Sequence, residues 1–435
     1  MYKLEKLSKE KYEKFVKTNK YKSHFLQSYD WGEFAKKKKG KTPYYLGLLK
    51  DNKVVATALL LQTKLPLGYS YFYSPRGFVL NYEDSEVFNE MTKEVVKFVK
   101  RKKGIFLKID PDIIRKSIDY EGKENKLSYD PNKIFNMIKK AGFKHQGFTK
   151  NFETNNPRYS FRIDMTKSIE EIESHYSKTT KQRIKKANKL GTIVKIGTEK
   201  DLDTFYHLMQ VTEDRKDFVS YSDDYYKELY KIWNKDNKMT LFLGIVNLKD
   251  ILKNLEERKE KLEETITNIP KENMSKSAKN KLKENERELN KVNEDYNKYK
   301  EYKEKYGNEI TLNAHMIIEY GDKAWVLYAG NENILTETGS NYKVYDAHIK
   351  YEKERGIKIY DQFGTIGDLS KDNPRLGLHE FKKKFGGDYV EFLGEFDYIT
   401  NDLMYFAFKH LVPLYRKVIK KKAKEKLKEE IKNES

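Results

Sequence analysis

Between residues 248 and 306 the chain carries two heptad stripes on either side of a proline, and few architectures accommodate that pattern. Leu248, Leu255, Leu262 and Ile269 recur at sevens, with Leu252 and Ile266 beside them. After residues 270–277 a second series runs through Leu282, Leu289 and Tyr296, accompanied by Val292, Tyr299 and Tyr306. Two such stripes around one Pro-containing turn predict an antiparallel helical hairpin. Helices of about 22–28 residues would each project roughly 33–42 Å at a rise of 1.5 Å per residue. Lys and Glu fill most other positions, their charges nearly cancel, and no glycine interrupts the stretch. The hairpin also interrupts a strand pattern. LFLGIV (241–246) precedes it and LNAHMIIEY (312–320) follows, so it reads as an insertion between neighbouring strands.

Outside the hairpin, 435 residues leave room for two domains. Hydrophobic residues reach only 38%, but 33 Tyr and 23 Phe supply aromatic surface for the cores. The formal charge of +20 sits mostly outside the balanced hairpin. It suits a polyanionic partner such as nucleic acid, a phosphorylated substrate or an anionic membrane surface, although a lysine-rich proteome would produce part of the same excess. With no cysteine, disulfides, thiolate metal sites and a cysteine nucleophile are excluded. The opening MYKLEKLSKEKYEKF lacks the apolar core of a signal peptide, and the longest apolar stretch, Val54 to Leu61, is far short of a membrane span. The expectation is a soluble, cytoplasmic protein. Its basic stretch 416–427 (RKVIKKKAKEKL) is a candidate contact with anionic lipid at the inner face of the membrane, or else a frayed helix end.

The chain repeats itself weakly. YYLGLLKDNKVVATALLLQ (44–62) reads as strand, Asp-Asn turn, strand; the strand YSYFYSPRG (69–77), a helix from about Glu86 to Lys102, Gly104 and the strand IFLKIDP follow. Later, AHMIIEYGDKAWVLYAG (314–330) is strand, Gly-Asp turn, strand, followed by a helix over 341–355, Gly356 and the strand IKIYDQFG. This order resembles the GNAT acyltransferase fold. It predicts an α/β (α+β) protein of two GNAT-like domains, the second carrying the coiled-coil hairpin. Residues 1–150 plus 396–435 would form the first, acceptor-binding domain, completed by a C-terminal helix (about 398–425). Residues 151–247 plus 307–395 would form the second, and 248–306 the arm.

Several strings together resemble the FemABX family across nearly the whole chain: HFLQSYDWGEF (24–34), LKIDP (107–111), TEDRKDF (212–218), YDQFG (360–364) and LHEFKKKFGGDYVEFLGEFD (378–397). Members of the FemA, FemB and MurM type carry a coiled-coil arm in the second domain. The resemblance implies an aminoacyltransferase (EC 2.3.2 type) taking an amino acid from aminoacyl-tRNA. The acceptor would be the stem-peptide amine of lipid II or UDP-MurNAc-pentapeptide, building an interpeptide bridge. Association with other Fem-type proteins is a further implication. Such a transfer starts from an activated ester and an amine nucleophile, so it needs no enzyme nucleophile and no cofactor; it needs positioning and a cation at the developing oxyanion. Lys382 after Phe381 matches the lysine of the family's FK-x-x-F motif, which sits by the reacting carbonyl; read alone, 382–384 is a solvated basic run. Arg215 matches an arginine on the acceptor's phosphates, which a guanidinium grips bidentately; an ordinary salt bridge to Glu213, Asp214 or Asp217 is the alternative. A lysine following Trp31 would be the second phosphate ligand. The fourth residue after Trp31 is Ala35, so Lys36 is the nearest match and Lys37 the next. Trp31 itself is a substrate contact or core.

Further candidates come from the residues. Asp110 ends the IFLKIDP strand, where sheets commonly face ligands; it is a substrate contact or general base, or a turn carboxylate before Pro111. Tyr73 and Tyr328 end strands in corresponding places of the two halves, as stacking residues or ordinary strand tyrosines. Lys181, Arg183 and Lys185 lie in the basic helix SKTTKQRIKKANKLG, a surface for tRNA phosphates or a solvated face. The arm is a tRNA contact by analogy with seryl-tRNA synthetase, or a structural or docking element. The histidines show no ligand spacing, and no metal site is expected. Two rival functions stay open. An acyl-CoA-dependent GNAT N-acyltransferase would need an Arg/Gln-x-x-Gly-x-Gly/Ala turn, which RLGLHE (375–380) does not supply. A non-catalytic coiled-coil tRNA-binding or scaffold protein would be indifferent to loss of Lys382.

Overall fold

The structure, a computed structural model, describes residues 1–18, 24–216, 220–270 and 274–410, with the backbone alone for Arg215 and Lys216. The chain divides into two compact units. The first comprises Met1–Phe161, Gly364–His379 and Asp388–Ser435, and the second Arg162–Phe363 and Glu380–Gly387. These limits differ from the expected ones: 151–161, 364–379 and 388–395 belong with the first unit. Asp388–Phe392 runs antiparallel to Ile114–Ile118, which also belongs to the first unit.

In the first unit a seven-stranded sheet has the order Tyr2–Lys6, Thr42–Lys50, Lys53–Lys64, Ser70–Ser74, Gly104–Ile109, Phe396–Ile399, Lys144–His145. Asp51 and Asn52, at φ 49° and 63°, make the tight turn between Thr42–Lys50 and Lys53–Lys64; this left-handed pair matches the twist of a two-residue hairpin. Ser70–Ser74 and Gly104–Ile109 are parallel, so a crossover must join them. The helix Ser85–Arg101, capped by Asp84 on the Val87 amide, fills that role. It buries Val87, Phe88, Met91, Val95 and Val99 at helical spacing. The expected C-terminal helix starts later than predicted. Phe396–Ile399 is a strand, helix occupies 402–410, and the basic stretch 416–427 lies outside the described residues. Tyr405 and Phe408 set their rings against Phe106 at 5.3 and 5.2 Å.

The second unit repeats the order. Its strands lie side by side as Ile193–Ile196, Met239–Asn247, Glu309–Tyr320, Lys323–Asn331 and Ile359–Asp361, the last pairing with Arg162, Ile163 and Asp164. Glu309–Tyr320 and Lys323–Asn331 are antiparallel, while Lys323–Asn331 and Ile359–Asp361 are parallel, joined through the helix Ser340–Glu354. Both units therefore carry the strand, turn, strand, helix, parallel-strand succession expected from sequence, in a mixed α/β fold with two sheets.

The arm is there, with unequal limbs. Leu248–Thr267 has 20 residues and Lys276–Tyr306 has 31, the latter capped by Ser275 on the Ala278 amide. Ile269, placed in the first stripe from its spacing, falls past the helix end. Asn247 pairs with Glu309, and the Leu248 amide donates to the Asn308 carbonyl at 2.7 Å, so both feet of the arm leave one antiparallel pair. The root is apolar, with Leu248, Ile251, Leu252 and Tyr299 packed on Val246, Leu312 and Leu335. Further out, Tyr296 donates to Glu256 at 2.6 Å and Arg258 to Glu288 at 2.8 Å.

Candidate active site

In the second unit, the strand Ile359–Asp361 ends in a loop that holds a lysine. Asp361 is buried and accepts from Arg162 Nε at 2.7 Å and from the Phe363 amide at 2.8 Å, which curls the chain back at Gln362 and Phe363. Phe363 adopts φ 56° there, a conformation costly for a bulky side chain and held only by such fixed partners. The turn aims two carbonyls at Lys382, whose Nζ donates to Gln362 O at 2.7 Å and Phe363 O at 2.9 Å. Lys382 is 6% exposed, so it is no member of a solvated run. Burial pulls its ammonium down to about 7, against the opposing attraction of Asp361. Phe381 packs its ring on Tyr345, Tyr342 and Phe385 at 4.9, 5.1 and 5.4 Å. It anchors the helix Leu376–Lys383 apolarly, next to the lysine.

In the first unit, Asp110 and Tyr73 come together at the ends of the parallel strands. The Tyr73 hydroxyl donates to Asp110 Oδ1 at 3.1 Å, the Arg76 amide to the same oxygen at 2.7 Å, and Asn156 Nδ2 to Oδ2 at 2.9 Å. Asn156 also donates to the Tyr73 hydroxyl at 2.7 Å. The Arg76 guanidinium lies 4.0 Å from Asp110, bonds the Pro157 carbonyl at 2.6 Å and covers the Phe392 ring at 4.4 Å. Asp110 is thus the acceptor of a long-range network and not the local turn carboxylate that its place before Pro111 suggested. Burial raises its carboxyl to about 6 despite the pull of Arg76. Alongside, Lys108 pairs with Glu395 at 2.7 Å and Asp397 at 2.8 Å. Burial alone would raise Glu395, but Lys108 and the Asn155 donors hold it below the ordinary glutamate value.

The remaining candidates sit apart. Trp31 is 7% exposed and packs against Phe25 and Phe34, as a core residue does. Lys36, on the same helix Tyr29–Lys39, points outward, 4.0 Å from Glu33. It is Lys39 that lies over the Trp31 ring, at 4.5 Å, and burial with Lys41 nearby lowers its ammonium to about 8. Tyr328 joins a tyrosine cluster, its hydroxyl 3.1 Å from that of Tyr225, with Tyr221 stacked on Tyr225 at 3.9 Å. Arg215 stands in the last turn of the helix Leu202–Lys216, and its side chain lies outside the described residues. On the helix Lys178–Lys189, Thr180 and Ala187 face inward. Lys181 reaches the Ser174 carbonyl at 2.9 Å, Arg183 reaches the Glu337 carbonyl at 3.3 Å, and Lys185 is exposed. Arg183 thus ties the helix to the loop whose Glu337 carboxylate also takes Lys298 of the arm.

Residues 7–412 match the FemAB family. The chain belongs to the FemAB family. Among its relatives, the lipid II:glycine glycyltransferase of Staphylococcus haemolyticus (strain JCSC1435) is 28% identical over 418 residues, 94% of this chain and 96% of that protein. The Staphylococcus aureus protein of the same name is 29% identical over 423 residues, again 94% and 96% of the two chains. The crystal structure of FemX superposes with a TM-score of 0.75 at 25% identity, covering 94% of this chain and all 100% of that one.

Within this FemAB-family chain, sequence reasoning passed over Arg76, Asn156 and Lys39, and over Gln27. The Gln27 side chain donates to Ser74 Oγ at 3.2 Å and the Pro75 carbonyl at 2.6 Å, and accepts from the Leu59 amide at 2.9 Å. It locks the HFLQSYDWGEF segment to the SPRG turn. The signal was present, since both strings stood out, but only the fold shows that one holds the other.

Proposed function

We propose that this chain transfers an amino acid from aminoacyl-tRNA to the stem-peptide amine of lipid II, extending an interpeptide bridge, with glycine the first candidate. The reading is carried by the buried Lys382 ammonium, fixed by two main-chain carbonyls, in a chain that runs nearly the full length of relatives named lipid II:glycine glycyltransferases. The amine attacks the ester carbonyl, the carbonyl oxygen becomes negative, and Lys382 stabilises that charge in a site of low dielectric. One preorganised donor of this kind contributes about 3–4 kcal/mol. Collapse of the intermediate breaks the ester bond, the amine nitrogen gives up a proton, and the departing ribose oxygen gains one. A lysine held near 7 can both keep its charge and surrender a proton at neutral pH. Arg215 is proposed for the diphosphate of the acceptor; a phosphate contact in the first unit by Lys36, or by the better-buried Lys39, is a separate proposal. The outward lysines of Lys178–Lys189, Lys181 and Lys185 among them, are proposed for tRNA phosphates.

The test is incubation of purified protein with lipid II and a panel of glycyl-, alanyl- and seryl-tRNA, read by mass spectrometry. The expected result is addition of one residue from at least one tRNA, abolished by RNase pretreatment. Unchanged lipid II with every charged tRNA overturns the reading, as does RNase-resistant transfer from an acyl-CoA.

A further inference from the structure

A chain of buried polar side chains crosses the second unit, and the acyl-transfer chemistry above makes no use of it. Its members come from four elements: Tyr360 on Ile359–Asp361, His348 on Ser340–Glu354, His315 on Glu309–Tyr320, and Asn331 ending Lys323–Asn331. Both histidines are fully buried. The Tyr360 hydroxyl meets His348 Nδ1; His348 Nε2 stands 3.4 Å from His315 Nδ1; His315 Nε2 stands 3.3 Å from Asn331 Oδ1.

One set of tautomers satisfies this chain from end to end. Ser340 Oγ donates to Asn313 Oδ1 at 2.5 Å, so the Asn313 amide nitrogen is what faces Asn331 Oδ1, at 2.8 Å. Asn331 Oδ1 is then an acceptor, and His315 must present Nε2–H to it. With His315 Nδ1 accepting, His348 donates from Nε2 and accepts at Nδ1 from the Tyr360 hydroxyl, and the Asn341 side chain is a further partner of His315. Every donor points from Tyr360 toward Asn331, with both imidazoles neutral. Burial agrees, lowering His315 to about 4 and His348 well below its ordinary value.

Each end of the chain touches an element already given a role. Tyr360 precedes Asp361, whose carboxylate takes the Phe363 amide while the Phe363 carbonyl takes Lys382. At the far end the main-chain N–H of Asn331 donates to Thr212 Oγ1 at 2.8 Å, on the helix Leu202–Lys216, three residues before Arg215. Polar groups in such a core cost stability unless every member is satisfied, and a satisfied chain specifies one arrangement.

We infer that His315 and His348 are positioning residues: the hydrogen-bonded side chains from Tyr360 to Asn331, whose main chain is bonded to Thr212, hold the Lys382 loop and the Arg215 helix in one fixed register. The inference rests on the acyl-transfer assignment, with the histidines acting through Lys382 and Arg215 and touching no substrate. His315→Leu breaks the chain in its middle, whereas His315→Gln restores one acceptor and one donor. Tyr360→Phe removes a single hydroxyl at the Lys382 end without opening a cavity.

The experiment is steady-state kinetics of the full chain with lipid II and charged tRNA, alongside thermal unfolding of each variant. Expected are a loss of about 10- to 100-fold in kcat/KM for His315→Leu, the size of a small misplacement at a reacting centre, divided between lower kcat and higher acceptor KM. His315→Gln should recover most of both. Tyr360→Phe should lower kcat severalfold and leave acceptor KM unchanged. Wild-type kinetics in Tyr360→Phe overturn the inference, as does a His315→Gln protein that unfolds like wild type yet stays as impaired as His315→Leu. If His315→Leu does not fold, Tyr360→Phe decides alone. An inactive wild-type protein would refute the acyl-transfer assignment itself, which separates the two failures.

Discussion

Replacing Lys382 by Met keeps an unbranched stem of similar length and removes the ammonium, and the stability difference between the two proteins should change with pH. In the folded chain burial holds Lys382 at about 7, against an ordinary lysine value of 10.5. Between these values the unfolded chain binds a proton that the folded chain does not, so wild-type stability rises with pH relative to Lys382→Met, at 1.36 kcal/mol per unit. The whole window spans about 3.5 pH units, or about 5 kcal/mol, and from pH 7.5 to 9.5 the gain is about 2–3 kcal/mol. Loss of the donor to the Gln362 and Phe363 carbonyls adds an offset that does not vary with pH. Other groups titrate in both proteins and cancel in the difference. Urea unfolding followed by tryptophan fluorescence is a suitable assay, because Trp233 and Trp325 are both buried in the second unit, at 1% and 0% exposure. A difference that stays flat over those two pH units would refute the burial of a titrating ammonium. So would an alkaline limb of wild-type kcat lying near 10 and not near 7.

Three further outcomes are expected. Asp110→Asn removes the carboxylate shared by Tyr73, Arg76 and Asn156 and should cost about 2–3 kcal/mol, which calorimetry would register as a fall of roughly 5–10 °C in Tm. The pair Lys185→Glu and Lys189→Glu, on the exposed face of the basic helix, should raise the KM for charged tRNA and flatten its dependence on salt, leaving acceptor KM unchanged; an unaltered salt slope would exclude that face as an RNA contact. In Gly330→Ala the new Cβ would stand 2.8 Å from backbone atoms of Leu208 and Met209. The strand and the Arg215-bearing helix must then separate, and a loss of about 1–3 kcal/mol in urea unfolding should be accompanied by a higher acceptor KM.

What the sequence revealed was local. Asp51-Asn52 and Gly321-Asp322 announce their turns through residues that tolerate left-handed backbone, and Ser85–Arg101 shows its apolar face at helical spacing. The arm was legible from its heptads, but not its unequal limbs, because apolar spacing carries past Thr267 to Ile269 while the helix stops. Lys382 was readable as a motif and unreadable as an environment: its carbonyl partners lie 20 and 19 residues away. Asp110 draws Asn156 from 46 residues along the chain, and His315 meets His348 across 33, one on a strand and one on a helix. No spacing rule for ligands or triads spans such pairs, so they look scattered until the strands bring them together. The unit boundaries were hidden for the same reason, since the pairing of Asp388–Phe392 with Ile114–Ile118 leaves no mark near either segment.

Because both feet of the arm rise from one bonded pair of residues, Asn247 opposite Glu309, its length is mechanically independent of everything beneath it. Adding seven residues to each limb would carry the tip about 10.5 Å farther at 1.5 Å per residue, with no strand displaced and no buried side chain exchanged. Reach is therefore a dimension that inheritance can adjust in whole heptads, like a mast stepped on a fixed deck, while the chemistry below stays constant.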